Sequence, residues 1–476
     1  MPRFILTIAL IGLTSLCYSK VQLPAIINNN MVLQQKSKVS LWGHAVKSGK
    51  IVIITGWNNK KYTAITDTAG SWHLQVRTPQ AGGPFKISFN DGELLELSGI
   101  LIGEVWVCSG QSNMEMPVKG YNKQPILNAR QIIDDASKHP AIRIFRVPKI
   151  VSAVPLNDCQ GKWFETDSQT IKDFSAIAYQ YAAILQAKLN VPVGIIATYW
   201  GGTAVQSWMS KKTLSRFAEV KIPERLDTIT DPEKAPEQSP AILFNAMIAP
   251  IAGYGIKGFI WYQGESNRYN PALYAKLLPV MVKEWRRLWN SGNLPFYYVQ
   301  IAPYGYSGPN NYFSALLREV QFKLEHQIPN VGMVVALDAG KQQFIHPPDK
   351  TIISERLSNY ALSETYQRSG ISYLSPTFKR MKIRKEQLYL KFTNTGGGLQ
   401  FKDQATGNFE IAGSDKVFYP AQAVIIKKDQ VRVHSDQVKK PVSVRYAFKN
   451  WCVGNLYTKE GMPASSFRTD NWDQLN

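Results

Sequence analysis

The chain has 476 residues, too many for one hydrophobic core, and reads as two or three domains. Hydrophobic residues make up 44% of it, with 12 Trp, 22 Tyr and 20 Phe, which excludes a disordered or low-complexity protein. The formal charge of +20 raises nucleic-acid binding, but the Lys and Arg are scattered, with only short clusters such as residues 379–385, KRMKIRK, so the charge reads as a solvated basic surface, open to acidic glycans, with no nucleic-acid partner.

Residues 1–19, MPRFILTIALIGLTSLCYS, have a basic start, an apolar run from Phe4 to Leu16 and a small residue at Ser19. This predicts a secretory signal peptide cleaved near Ser19, and hence export to the periplasm or the extracellular space. Lipid attachment at Cys17 is disfavoured because Leu16 stands where such sites want a small residue. No later run is apolar enough for membrane insertion. Cys108, Cys159 and Cys452 then remain, too few for a disulfide framework and wrongly spaced for a metal site. At most one bridge is expected, with free buried cysteines favoured and no metal or other cofactor.

Residues 20–98 read as a small antiparallel β-domain, from short alternating runs such as Val39-Ser40-Leu41-Trp42-Gly43 and Ser71-Trp72-His73-Leu74-Gln75-Val76 between turn signals. From 99 to 369 apolar runs alternate with helical stretches. Strands are expected over 104–108, 193–198, 256–262, 296–301 and 331–337. Helices are expected over 174–189, from the Asn270-Pro271 cap to Gly292, and on the face formed by Phe313, Leu316, Leu317, Val320 and Leu324. That alternation predicts an α/β domain with a doubly wound, mostly parallel sheet. Residues 370–476 return to short strands around turns such as Gly396-Gly397-Gly398, a second, β-sandwich-like region.

Open α/β sheets bind ligands outside the carboxyl ends of their strands. Those ends read Ser109-Gly110-Gln111-Ser112-Asn113, Tyr199-Trp200-Gly201-Gly202-Thr203, Gln263-Gly264-Glu265-Ser266-Asn267 and Asp338-Ala339-Gly340, the last followed by Phe344-Ile345-His346-Pro347. A serine, a glycine pair, amide side chains and an imidazole are the parts of an acyl-transfer site. Singly they are weak, since Gly-x-Ser and Gly-Gly are usually turns. His346 is the one histidine that follows a central-sheet strand. The residue two beyond Ser112 is Met114, which rules out the Gly-x-Ser-x-Gly elbow of α/β-hydrolases.

The blocks GQSNMEMP, YWGGT, FIWYQGESN and IHP resemble the SGNH-type carbohydrate esterases, specifically the sialate O-acetylesterase family. MVLQQ, FNAMIAP, FEIAG and GNLYTKEGMPASSFRTDNW extend that resemblance over nearly the whole mature chain. It implies removal of O-acetyl groups from sialic acids or related glycans, or, among its relatives, from xylan and pectin. Ser112 would be the nucleophile and His346 the base. Ser112 N–H, Gly201 or Gly202 N–H and the Gln263 amide would stabilise the oxyanion, with Asn267 the second choice of amide.

An Asp three residues before the histidine usually orients it in such enzymes; here that residue is Gln343. Asp338 is the favoured replacement, ahead of a backbone carbonyl and then Glu265. Two rivals stand beside the esterase: a glycoside hydrolase using a pair among Glu104, Glu115, Glu265 and Asp338, and a non-catalytic glycan-binding protein.

Overall fold

A computed structural model describes residues 20–222, 236–402 and 408–472, so the expected signal peptide lies outside the described residues. The central sheet runs Val331–Val334, Phe296–Val299, Gly258–Tyr262, Leu94–Gly110, Val193–Tyr199, Ile142–Arg146 and Lys162–Glu165. Every neighbouring pair is parallel except the last. Later strands are added on both sides of Leu94–Gly110, which places the switch in strand order at its carboxyl end, where α/β sheets hold their ligands.

That strand also joins the first two regions. Over its first half it pairs antiparallel with Gly82–Asn90, then parallel with Val32–Gln34, before entering the central sheet at Glu104. The expected boundary between residues 98 and 99 thus falls inside one continuous strand. Burial records the change: accessibility varies up to Gly99, then every residue from Ile100 to Gly110 is buried. A strand covered on one face alternates, whereas one covered on both does not.

Helices close both faces. Trp106, Cys108, Ile260 and Tyr262 share a core with Ala176–Leu189 and Thr351–Tyr360, while Val107, Phe259 and Trp261 pack with Pro271–Trp289 and Phe313–Glu325. The Asn270 side chain caps its helix, accepting from Leu273 N–H at 3.0 Å. That helix ends at Asn290, in the left-handed region with φ 47°, two residues before the expected Gly292. Cys108, Cys159 and Cys452 are all unpaired. No helix among the described residues is long and apolar enough to cross a membrane.

The C-terminal region is an antiparallel sheet ordered Thr377–Arg384, Gln387–Thr393, Gln430–His434, Phe418–Lys427, Phe409–Ala412, Ser443–Tyr446 and Phe467–Arg468. Its last segments dock on the α/β domain through buried polar contacts. Arg318, fully buried, donates to the Lys449 carbonyl at 2.5 Å and to Ser466 Oγ at 3.1 Å. Gln300 donates to Ser465 Oγ at 2.8 Å. The GNLYTKEGMPASSF block is therefore a docking segment as well as a strand pair.

Candidate active site

The central strand ends at Gly110, where φ is +140° and an added Cβ would lie 2.2 Å from the Tyr262 carbonyl oxygen, so only glycine fits. Trp200 N–H donates to the Gly110 carbonyl at 3.0 Å, and Gln111 N–H donates to the Tyr262 carbonyl at 3.0 Å. Thus pinned to both neighbouring strands, the chain turns into a single helical turn, Ser112–Glu115, with Ser112 half-buried at its first position. Gly201 packs on the serine: a Cβ there would sit 3.2 Å from Ser112 Cβ. Ser112 and Gly202 keep backbone N–H groups that no acceptor takes among the described residues.

Beside Ser112, Asn113 is buried and ties three segments together. Its Nδ2 donates to Glu265 Oε1 at 2.6 Å and to the Ile345 carbonyl at 3.1 Å, and its Oδ1 accepts from Lys350 Nζ at 2.6 Å. Lys350 is 1% exposed, and burial lowers its pKa to about 7, opposed in part by Glu265. Burial also raises the Glu265 pKa, since a dry environment disfavours the carboxylate. One amide thus fixes the histidine loop against the serine turn.

His346 is half-buried, with Nδ1 at 2.6 Å from Gln124 Oε1 and its ring edge-on to Tyr121, centroids 5.1 Å apart. The Tyr121 hydroxyl in turn donates to the Ser112 carbonyl at 3.3 Å. An amide oxygen only accepts, so Nδ1 carries the proton and Nε2 keeps its lone pair. Burial, followed by the charge on Lys350, pushes the His346 pKa down to about 4. No hydrogen bond joins Ser112 to His346 among the described residues; such contacts commonly tighten only when substrate binds.

The structure brings Ser112, Gly201, Gly202 and the His346 loop together and gives other expected residues different work. Asp338 is not beside the imidazole: Arg356 grips both its oxygens at 2.7 and 2.6 Å, and Tyr457 donates to Oδ2 at 3.1 Å. Gln263 is fully buried and its Nε2 is spent on Gln111 Oε1, the Thr203 carbonyl and Asn267 Oδ1, at 3.2, 3.1 and 2.8 Å. With two hydrogens facing three acceptors, it has none for an oxyanion. Gly201 N–H is also taken, by Glu115 Oε2 at 2.6 Å, while Lys149 holds the other oxygen of that carboxylate. Asn267 gives Nδ2 to Gln206 at 3.1 Å.

The carboxylates a glycosidase would need are equally committed. Glu104 lies at the opposite end of the sheet under Gln34, Gln35 and Tyr366, Glu265 under Asn113, and Asp338 under Arg356.

Residues 102–353 match the family model described as carbohydrate esterase, sialic acid-specific acetylesterase. The chain belongs to this carbohydrate esterase family. Sialate O-acetylesterases of Mus musculus and Homo sapiens are each 27% identical to it, over 89% of this chain and 89% and 87% of theirs. A solved carbohydrate acetylesterase from Xanthomonas citri is 32% identical, with a TM-score of 0.86 over 95% of this chain and 100% of that one. The chain is a carboxylic ester hydrolase.

Sequence reasoning about the esterase missed Gln124, Lys350 and the role of Asn113. Asn113 and Glu265 both stand inside the recognised blocks, which was an available signal. Gln124 lies in a loop, and nothing in its local pattern marks it.

Proposed function

We propose that this chain is an exported serine esterase that removes O-acetyl groups from carbohydrates, with O-acetylated sialic acids the first candidates and xylan or pectin acetyl esters the alternative. The SGNH-type arrangement supports the reading, with the serine on the turn after the central strand and the histidine on a loop after the last one. The observation that carries it is the Asn113 amide, which holds the Ile345 carbonyl beside Ser112 while Gln124 leaves His346 Nε2 unprotonated.

Ser112 Oγ attacks the acetyl carbonyl as His346 Nε2 takes its proton. Ser112 N–H and Gly202 N–H, which have no acceptor among the described residues, would meet the oxyanion; Gly201 N–H would join them only if Glu115 lets go. Collapse of the tetrahedral adduct expels the sugar oxygen, which takes the proton back from His346. Water, activated by the same imidazole, then frees acetate from the serine ester. The test is acetate release from O-acetylated sialic acids, acetylxylan and acetylated pectin, with p-nitrophenyl acetate as a reference ester. Release from at least one acetylated sugar is expected; hydrolysis of none would leave the glycan-binding rival standing.

Gln124→Glu tests the assignment of the base. A carboxylate against Nδ1 favours imidazolium and so raises the pKa. In the native enzyme His346 is neutral above about pH 4, so kcat/KM should fall only as pH drops through that value. In the variant that limb should move up toward or beyond about 6.5. An unmoved limb in the pH profile of p-nitrophenyl acetate hydrolysis would detach Gln124 from the base.

A further inference from the structure

The outer face of the C-terminal sheet carries charge that nothing in the esterase site uses. Register puts Arg380 opposite Lys391, Lys391 opposite Gln430, and Gln430 opposite Lys427. The next row runs Lys382, Tyr389, Arg432. These alternate with Leu388, Leu390, Val431 and Val433, which are buried on the other face, so all of the former point outward. Arg384 continues the edge strand, its guanidinium 5.5 Å from the centre of the Tyr389 ring. Arg380, Lys382, Arg384, Tyr389, Lys391, Lys427 and Gln430 line an open cleft of 260 Å³, with Arg432 beside it in the Tyr389 row.

The charge is barely offset. Asp429 pairs with Lys391, and Glu386 at the neighbouring turn is 3.5 Å from Lys439. Arg380, Lys382, Arg384, Lys427 and Arg432 have no carboxylate partner among the described residues. Arg380 faces Lys391 directly, and like charges opposite each other across strands destabilise a sheet. A surface that concentrates them on one face bears a cost that an anionic partner would relieve.

We infer that this face is a binding site for an anionic polysaccharide, a polymer of carboxylate-bearing sugars, which holds the esterase on the polymer away from the catalytic centre. The cations are spread over four strands about 4.8 Å apart, spaced to follow a chain and not to converge on one small ion. Nucleic acid fits less well. Single strands are held by several stacking aromatics, and among the described residues that line this cleft Tyr389 is the one aromatic, already paired with Arg384. Duplexes are read by elements that enter a groove, which a flat sheet face does not. One tyrosine among cations suits a sugar ring flanked by carboxylates.

The experiment titrates the full chain with polygalacturonate, which carries carboxylates and no acetyl ester, beside neutral arabinoxylan and DNA. Polygalacturonate should bind tightest, with affinity falling as salt rises. The triple variant Arg380→Ser, Lys382→Ser, Arg384→Ser, and separately the double variant Lys427→Ser, Arg432→Ser, should weaken it by about tenfold or more in Kd. Both should hydrolyse p-nitrophenyl acetate at the native rate, which also reports that they fold. Equal binding of arabinoxylan, tighter binding of DNA, or unchanged affinity in both variants would overturn the inference. Because the probe has no ester to cleave, its failure leaves the esterase reading untouched.

Discussion

Ser112→Ala should lower kcat/KM for p-nitrophenyl acetate by at least about 10³-fold, the loss expected for a nucleophile, with residual turnover from the binding groups that remain. The fold should not notice. Ser112 Oγ makes no hydrogen bond among the described residues, so its removal strands no buried partner. The segment is held by its backbone and neighbours: Tyr121 on the Ser112 carbonyl, Met116 N–H on the same oxygen at 2.8 Å, and Asn113 on Glu265. The denaturation midpoint should match the native protein while acetate release disappears. Activity within tenfold of native would remove Ser112 from the chemistry.

The sheet was legible where burial writes itself as an unbroken apolar run. The strands at Val193–Tyr199 and Gly258–Tyr262 are buried at every position, and short unbroken apolar runs bounded by turns fit strands covered on both faces. Ile142–Arg146 went unseen because Arg143 and Arg146 interrupt its pattern; Arg143 is accommodated by Glu165 on the antiparallel neighbour at 2.8 Å. The helix Thr351–Tyr360 went unseen because Ser354, Ser358 and Arg356 occupy its buried side, the serines satisfied by carbonyls and Arg356 by Asp338 and the Val335 carbonyl. Polar residues that bury by finding a partner look like surface in one dimension.

The same limit separates the two halves of the site. Ser112 and the glycine pair are fixed by strand ends and chain order, which a sequence displays. Orientation of His346 depends on which amide or carboxylate arrives from elsewhere. Gln124, in a loop far upstream, takes Nδ1, while Asp338, only eight residues away in sequence, is claimed from a helix by Arg356. Nearness along the chain pointed to a carboxylate that Arg356 holds elsewhere.

Asp338→Asn makes that distinction measurable. The ion pair is buried, with side chains 5% and 4% exposed for Asp338 and Arg356. Arg356 also donates to the Val335 carbonyl at 2.8 Å, and Tyr457 brings the C-terminal docking segment onto the same carboxylate at 3.1 Å. Removing the charge leaves a buried guanidinium uncompensated, at a cost of about 3–5 kcal/mol in stability. An apolar replacement of both partners, Asp338→Leu with Arg356→Met, should recover part of that loss, because the desolvation penalty of the pair goes with it. Catalysis should respond differently. A triad acid is worth about 10⁴-fold near neutral pH in serine proteases. Asp338 touches neither the imidazole nor Ser112, so kcat/KM measured where the variant is still folded should stay within about tenfold of native. Denaturant titration and initial rates on one preparation give both numbers. Native stability combined with a thousandfold loss of rate would mean that Asp338 reaches His346 during turnover, and that Gln124 merely occupies Nδ1 at rest.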